Sequence, residues 1–365
     1  MAYRVLIAEH DKTMLDRLAN VVQNIAGFEL VATYQNLRDA LGQGNVFAPN
    51  LLLLDADSED AEELLGSFRR VYPDAFLLCM GREWRNDKVR RLTQAGANAY
   101  LIKPFSAEEL QEAVQSLSEP NEEGEARTLV FFSPKGKSGK TTLIANLAMA
   151  LARRTGEPVG IIDADLQFGD MGVFFNLTPR STIVEAARDI YSLSSITLKS
   201  YFTPVSDRVS VLCGASRPEL ADEVTIDALE TILSMSQSLF RYILVDVPQG
   251  FNAVSIAAAE ASTTTYLVTM LNGAYELEHM RRALDIFKDW QDYETRAQVI
   301  LTRAPAGLQQ ELTQKLGYPI AALIPNEYLT VSDAVDHGKM VIDLAPGNAL
   351  VHAVDGLAQQ IIAQR

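Results

Sequence analysis

Along the first third of the chain, short runs of wholly apolar residues alternate with longer stretches in which apolar residues recur every three or four positions. Val5–Ala8, Leu51–Leu54 and Phe76–Cys79 contain no polar position, the pattern of strands buried on both faces, and Ala99–Ile102 is a shorter run of the same kind. Between them Met14–Ile25, Ala61–Val71, Lys88–Ala95 and Ala107–Leu117 carry a helical period. Covered strands separated by helices predict a doubly wound parallel sheet, whose functional residues lie at the carboxyl ends of its strands. Residues 118–126 (Ser-Glu-Pro-Asn-Glu-Glu-Gly-Glu-Ala) are polar and carry Pro and Gly, a linker signal. From Arg127 the alternation restarts, with strands expected near 129–132, 159–162, 209–212, 242–246, 265–270, 298–301 and 321–324. The chain therefore reads as α/β throughout: two doubly wound domains, residues 1–119 and 127–365, joined by an acidic linker at 120–126.

Composition narrows the function. Hydrophobic residues make up 48% and charged residues 22% of 365, enough apolar material for two cores. The formal charge of −15 is spread along the chain, with −6 in residues 1–119, three glutamates in 120–126 and −6 in 127–365. No segment is a basic field, so nucleic acid is not an expected partner. Cys79 and Cys213 each close an apolar run and read as buried free thiols of a reduced cytosol. The four histidines lack metal-ligand spacing, and no stretch reaches 18 apolar residues. The start, Met1–Ile7, meets Glu9-His10-Asp11 too early for a signal peptide. The expected location is cytoplasmic, with recruitment to a pole or to the inner membrane through partners.

The strongest chemical signal is Pro134-Lys135-Gly136-Lys137-Ser138-Gly139-Lys140-Thr141-Thr142, set between the apolar run 129–132 and a helical stretch from Leu143 to Leu151. Strand, tight loop and helix N-terminus is the context in which backbone N–H groups converge on a phosphate. Gly136 and Gly139 allow close backbone approach, Lys140 reaches terminal phosphates, and Thr141 offers a hydroxyl to Mg²⁺. The alternative is a Gly/Lys/Ser surface turn. The run resembles the deviant Walker A motif, K-G-G-x-G-K-[ST]-T, of the MinD/ParA family of dimerising ATPases. That resemblance implies ATP and Mg²⁺ as cofactors and a homodimer formed through the ATPase domain, with Lys135 crossing to the partner's nucleotide. Two departures stand out: Lys137 replaces the family's second Gly, and Pro134 precedes the signature lysine. A positive φ at position 137 would cost roughly 1–2 kcal/mol. Whether Lys137 aids or obstructs the approach of a second copy stays open.

Three further blocks follow in the family's order. Val159–Asp170 ends a buried strand in Asp163 and Asp165, which match the family's switch-I pair. The resemblance assigns Asp163 to orienting Mg²⁺-bound water and Asp165 to positioning the attacking water; solvated loop acids are the alternative. Tyr242–Pro248 looks like a Walker B strand with the family's trailing proline, making Asp246 a Mg²⁺ ligand directly or through Thr141. Leu301-Thr302-Arg303 lies where the family has Asn-Arg beside the adenine, and Ile324-Pro325-Asn326 resembles the closing block that packs on the base. The ATP residues implied are thus Lys135, Gly136, Lys137, Ser138, Gly139, Lys140, Thr141, Thr142, Arg303 and Pro325, with Thr141, Asp163 and Asp246 on Mg²⁺.

Residues 1–119 resemble the receiver domain of response regulators, a flavodoxin-like fold. Asp55 ends its strand at the phospho-acceptor position, Lys103-Pro104-Phe105 matches the receiver turn, and Glu9 takes the first place of the acidic pair that binds Mg²⁺. The departures fall on the chemistry. His10 stands at the second acidic position with Asp11 next door, and Met80 replaces the Ser/Thr that follows the phosphoryl group. A docking or dimerisation module, with Asp55 and Lys103 as a buried ion pair, is favoured over phosphorylation of Asp55. A receiver-like module ahead of the ATPase, together with Asp165-Leu166-Gln167-Phe168-Gly169-Asp170, looks like the CpaE/TadZ branch, whose members help to place and assemble Flp (Tad-type) pilus secretion systems. That implies pilus or secretion assembly proteins as partners. A response-regulator output ATPase, a MinD-like division-site regulator and a ParA-like partitioning ATPase are the alternatives. Against the MinD-like case, residues 350–365 carry one Arg and no Lys and read as a closing core helix rather than a membrane-targeting one.

Overall fold

A computed structural model describes residues 2–118, 126–190, 193, 195–271, 274–290, 292–305 and 307–364. The chain divides into two compact units, principally residues 1–123 and 124–365. The expected linker at 120–126 lies, except for Ala126, outside the described residues.

The first unit holds a five-stranded parallel sheet of β1 (Tyr3–Ala8), β2 (Phe28–Tyr34), β3 (Leu51–Asp55), β4 (Phe76–Gly81) and β5 (Ala99–Ile102), in the order β2-β1-β3-β4-β5. The order reverses direction at β1, which places the carboxyl ends of β1 and β3 beside the switch point where such sheets build sites. The four strands expected from apolar runs are all present. β2 has no such run: every residue in it is at least partly exposed, because it is the sheet's edge. The helix Leu37–Gln43, capped by Asn36, was too short to show a period.

The second unit holds eight strands: β6 (Arg127–Phe132), β7 (Val159–Asp163), β8 (Thr203–Pro204), β9 (Val209–Leu212), β10 (Tyr242–Asp246), β11 (Thr264–Met270), β12 (Ala297–Thr302) and β13 (Ile320–Ile324). Their order is β13-β12-β11-β6-β10-β7-β9-β8, parallel except for the two-residue edge strand β8, which the apolar pattern does not reveal. The helix Lys140–Thr155 is buried all round from Leu143 to Ala152, with the sheet on one side and the helix Ala349–Ala363 on the other. Leu350, Val351, Val354, Leu357 and Ile361 of that last helix belong to the same apolar cluster. Its apolar face is therefore occupied within the unit. A helix packed on two sides holds its N-terminus, and the loop before it, in a fixed place at the carboxyl ends of β6, β7 and β10.

Candidate functional site

The loop 133–139 joins β6 to the helix Lys140–Thr155 and is braced from three directions. The Ser133 hydroxyl donates to the Lys135 carbonyl, Gly250 N–H donates to Ser133 O at 2.8 Å, and Thr302 Oγ1 donates to Ser138 O at 2.5 Å. Gly139 is left-handed at φ +81° and caps the helix without any side-chain hydrogen bond. Lys137 is left-handed too, at φ +62°, so the chain accepts roughly 1–2 kcal/mol of backbone strain at that position. The first turn carries no acid and begins instead on Lys140. An uncapped N-terminus with a cation on it is unfavourable for the helix alone and becomes favourable once an anion sits there.

Opposite the loop, Asp163 ends β7 and Asp246 ends β10, and the two are register partners in the sheet. Both are at least 97% buried. Thr141 Oγ1 donates to Asp246 Oδ2 at 2.8 Å, and Lys140 Nζ lies 3.6 Å from Asp246 Oδ1. Asp163 accepts from Met171 N at 3.0 Å and Asp165 N at 3.3 Å. Burial, then repulsion from Asp246, pushes the Asp163 carboxyl well above the ordinary range. Burial raises Asp246 to about 6, Lys140 and Thr141 pulling the other way. Two adjacent buried carboxylates facing one lysine leave the pocket short of positive charge. Hard oxygen donors (Thr141, Asp163 and Asp246) are the set that suits Mg²⁺, which takes one or two carboxylates and completes its shell with waters and phosphate oxygens. Asp165, half-buried, accepts from Phe168 N at 3.4 Å and faces the same cleft.

That cleft has a volume of about 1090 Å³ and is lined by Gly136–Thr142, Asp165–Asp170, Asp246, Gln249 and Arg303 among others. A smaller cavity of about 190 Å³ opens beside it, walled by Gly139, Thr142, Leu143, Ile324, Pro325, Tyr328 and Val354. Arg303, left-handed at φ +52°, lines both. The apolar wall suits a flat base and the larger cleft a charged chain. Of the residues expected on a nucleotide, Lys135 stands apart: it is exposed and outside the lining of the cleft. Three features of the site escaped the sequence. Thr302, the replacement for the family's Asn, is buried and ties β12 to the loop through Ser138. Gln249 lies over Gly136, and Gly169 lies against the Asp163 carboxylate.

In the first unit, Asp55 and Lys103 form a buried ion pair. Lys103 Nζ lies 2.6 Å from Asp55 Oδ1, 2.6 Å from Glu9 Oε2 and 3.4 Å from Asp57 Oδ2. Burial alone would raise the Asp55 carboxyl, but hydrogen bonds from Lys103 and His10 hold it below its ordinary value. Asp11 does not join this group. Its carboxylate caps the helix Lys12–Gln23, accepting from Thr13 N at 2.9 Å and Met14 N at 3.2 Å, with Arg82 at 3.4 Å. The helix start offers this carboxylate two N–H groups that no backbone carbonyl of the helix satisfies. His10 takes the place instead, with Nδ1 on Asp55 Oδ2 and 3.4 Å from Glu9 Oε1. Among the described residues, Glu9, His10 and Asp55 are the only three such groups whose ligand atoms all lie within 4.8 Å. Met80, fully buried, is the register partner of Asp55 and presents no hydroxyl.

The fold and site define a receiver domain followed by a P-loop nucleotide-binding domain. Residues 5–115 match the response regulator receiver domain, and residues 129–341 match the CobQ/CobB/MinD/ParA nucleotide binding domain. The chain belongs to this second family. It is 27% identical over 258 residues to the septum site-determining protein MinD of Synechocystis, spanning 66% of this chain and 88% of that protein. Two solved structures share the fold of the second unit: a ParA family ATPase from Chlorobium tepidum (TM-score 0.60, 22% identity, 64% of this chain, 98% of that one) and MinD with Mg-ADP from Pyrococcus horikoshii (TM-score 0.55, 21% identity, 65% and 96%). No helix among the described residues is long and apolar enough to cross a membrane.

Proposed function

We propose that this protein binds ATP with Mg²⁺, hydrolyses it slowly and dimerises through its second unit in the ATP-bound state. The observation that carries the reading is the meeting of an uncapped helix N-terminus and Lys140 with the buried acids Asp163 and Asp246 across Thr141. In this reading the N–H groups of residues 136–142 and Lys140 hold the phosphates, and Thr141 and Asp246 hold Mg²⁺ with Asp163 behind it. Asp165 positions the attacking water, while Arg303 and Pro325 flank the base. Magnesium supplies charge neutralisation on the phosphate oxygens. Lys135, exposed beside the cleft, is free to reach a second copy. Two such surfaces meeting about a two-fold axis would bury both lysines against triphosphates, whose charge offsets their desolvation.

The cellular role we infer is placement or assembly of a Flp/Tad-type pilus or secretion system in the cytoplasm, with recruitment to a pole or the inner membrane through assembly proteins. The receiver unit serves there for docking or dimerisation. Support comes from the receiver-then-ATPase order and from the Asp165–Asp170 block. The likeness to Synechocystis MinD favours a second reading, a division-site regulator. Sedimentation of the full chain and of residues 127–365 with ATP or ADP tests the shared biochemical core. Lys135→Ala should leave ATP affinity within a few fold and abolish the ATP-dependent dimer of the fragment; an unchanged ATP-bound mass would remove Lys135 from the interface.

A further inference from the structure

Gln249 stands apart from the buried acids and from the base-sized cavity. It follows Asp246-Val247-Pro248 in the turn after β10 and lines the larger cleft but not the smaller cavity. Its backbone is held from several sides. Gly250, at φ +77°, donates its N–H to Ser133 O at 2.8 Å; Ser255 Oγ donates to Gly250 O at 2.8 Å; Asn252 Nδ2 donates to Gln249 O at 3.4 Å. Asn252 and Ser255 then close a capping box on the helix Ala253–Glu260. The Gln249 amide, by contrast, is exposed and makes no hydrogen bond among the described residues. It is nonetheless placed: a Cβ on Gly136 would lie 2.2 Å from Gln249 Oε1 and 3.3 Å from its Cδ. The amide thus rests on the first glycine of the phosphate loop, with two donors and an acceptor unused.

The loop has a direction. The base-sized cavity is walled by Gly139 and Thr142 at the helix end, whereas Gly136 and Gln249 line only the larger cleft at the other end. A nucleotide lying along this loop with its base in the smaller cavity would have its last phosphate nearest Gly136. We propose that Gln249 reads the terminal phosphate: its Nε2 donates a hydrogen bond to a γ-phosphate oxygen, which makes the site prefer ATP to ADP. This rests on the assignment of residues 136–142 as the ATP loop. A neutral amide on a braced backbone suits the task, since it distinguishes the two nucleotides without adding charge to a cleft already lined by Asp165, Asp170, Asp222 and Asp246.

The test is calorimetric titration of the full chain, with Mg²⁺, by ADP and by the non-hydrolysable analogue AMPPNP. Gln249→Ala should leave ADP affinity within about twofold and weaken AMPPNP about tenfold, the effect of one hydrogen bond to a charged group. Gln249→Glu, which sets a carboxylate against the phosphate, should weaken AMPPNP further, and Gln249→Asn should fall between wild type and Gln249→Ala. Equal weakening of both nucleotides would make Gln249 a support of the loop and overturn the proposal, as would an unchanged ratio in the Ala and Glu variants. A wild-type chain that binds neither nucleotide would remove the ATP site and this role together; wild-type binding with an unchanged ratio in the variants removes the Gln249 role alone.

Discussion

Gly169→Ala tests the geometry of the buried acids. A Cβ at position 169 would stand 2.5 Å from both carboxylate oxygens of Asp163 and 2.6 Å from its Cγ. Non-bonded contact wants roughly 3.5 Å, so about 1 Å of displacement is required. Asp163 has nowhere to go: it is buried, and Met171 N and Asp165 N hold its two oxygens. Either those bonds are lost or the segment around 169 lifts, and overpacking of this kind costs about 1–3 kcal/mol. For a unit of this size each kcal/mol lowers Tm by roughly 2–4 °C, giving a drop of about 2–12 °C. Gly214→Ala is the matched control, because its Cβ would meet Asp163 Cγ and the Asp165 carbonyl at an ordinary 3.4 Å. Scanning fluorimetry of the two variants, with and without Mg²⁺ and ATP, measures both consequences. Gly169→Ala should melt well below Gly214→Ala and lose most of its Mg²⁺-dependent ATP shift. If the two variants melt together and respond equally to Mg²⁺-ATP, the close packing of residue 169 on Asp163 is refuted.

Other expectations follow from the buried charges. Lys103→Met leaves Glu9 and Asp55 buried without their cation, so the first unit should lose about 3–5 kcal/mol at pH 7, read by urea unfolding through Trp84; a loss under 1 kcal/mol would contradict the ion-pair account. Asp246, raised from 3.8 to about 6, binds more protons folded than unfolded between those values. Its burial therefore lowers stability progressively from about pH 4 to pH 6, reaching about 3 kcal/mol. Asp246→Asn should accordingly stabilise the nucleotide-free protein at pH 7.5 but not at pH 4, while losing the Mg²⁺-dependent ATP response; equal changes at both pH values would assign the effect to packing. Asp55 should resist acetyl phosphate under conditions that label an ordinary receiver, because Met80 offers no hydrogen bond; stoichiometric labelling on phosphate-affinity gels would overturn this.

Much of the architecture was legible because parallel strands covered on both faces must be apolar throughout, as in Leu51–Leu54 or Tyr242–Val245. What escaped was edge structure: β2 pairs on one side only and β8 is two residues long, so neither needs an apolar run. The chemistry was legible where function demands residue types at fixed spacing, as in Gly139-Lys140-Thr141 and the two strand-terminal aspartates. The capping role of Asp11 was legible too, in the Asp11-Lys12-Thr13 start of an amphipathic helix, although Asp11 reads first as a neighbour of the acidic site. The links of Thr302 to Ser138, Gly169 to Asp163 and Gln249 to Gly136 join residues 6 to 164 positions apart; such contacts exist only once the chain is folded, and no local pattern encodes them.

Whether the loop at 136–142 holds ATP is measured most directly by the thermal shift of wild type and Lys140→Ala in saturating Mg²⁺-ATP. At about 100 times its Kd, ATP should stabilise the wild-type second unit by about 2.7 kcal/mol. Lys140→Ala removes the lysine that lies beside Asp246 at the helix start, and should show no shift. An equal shift in both proteins would place the nucleotide elsewhere and contradict the account.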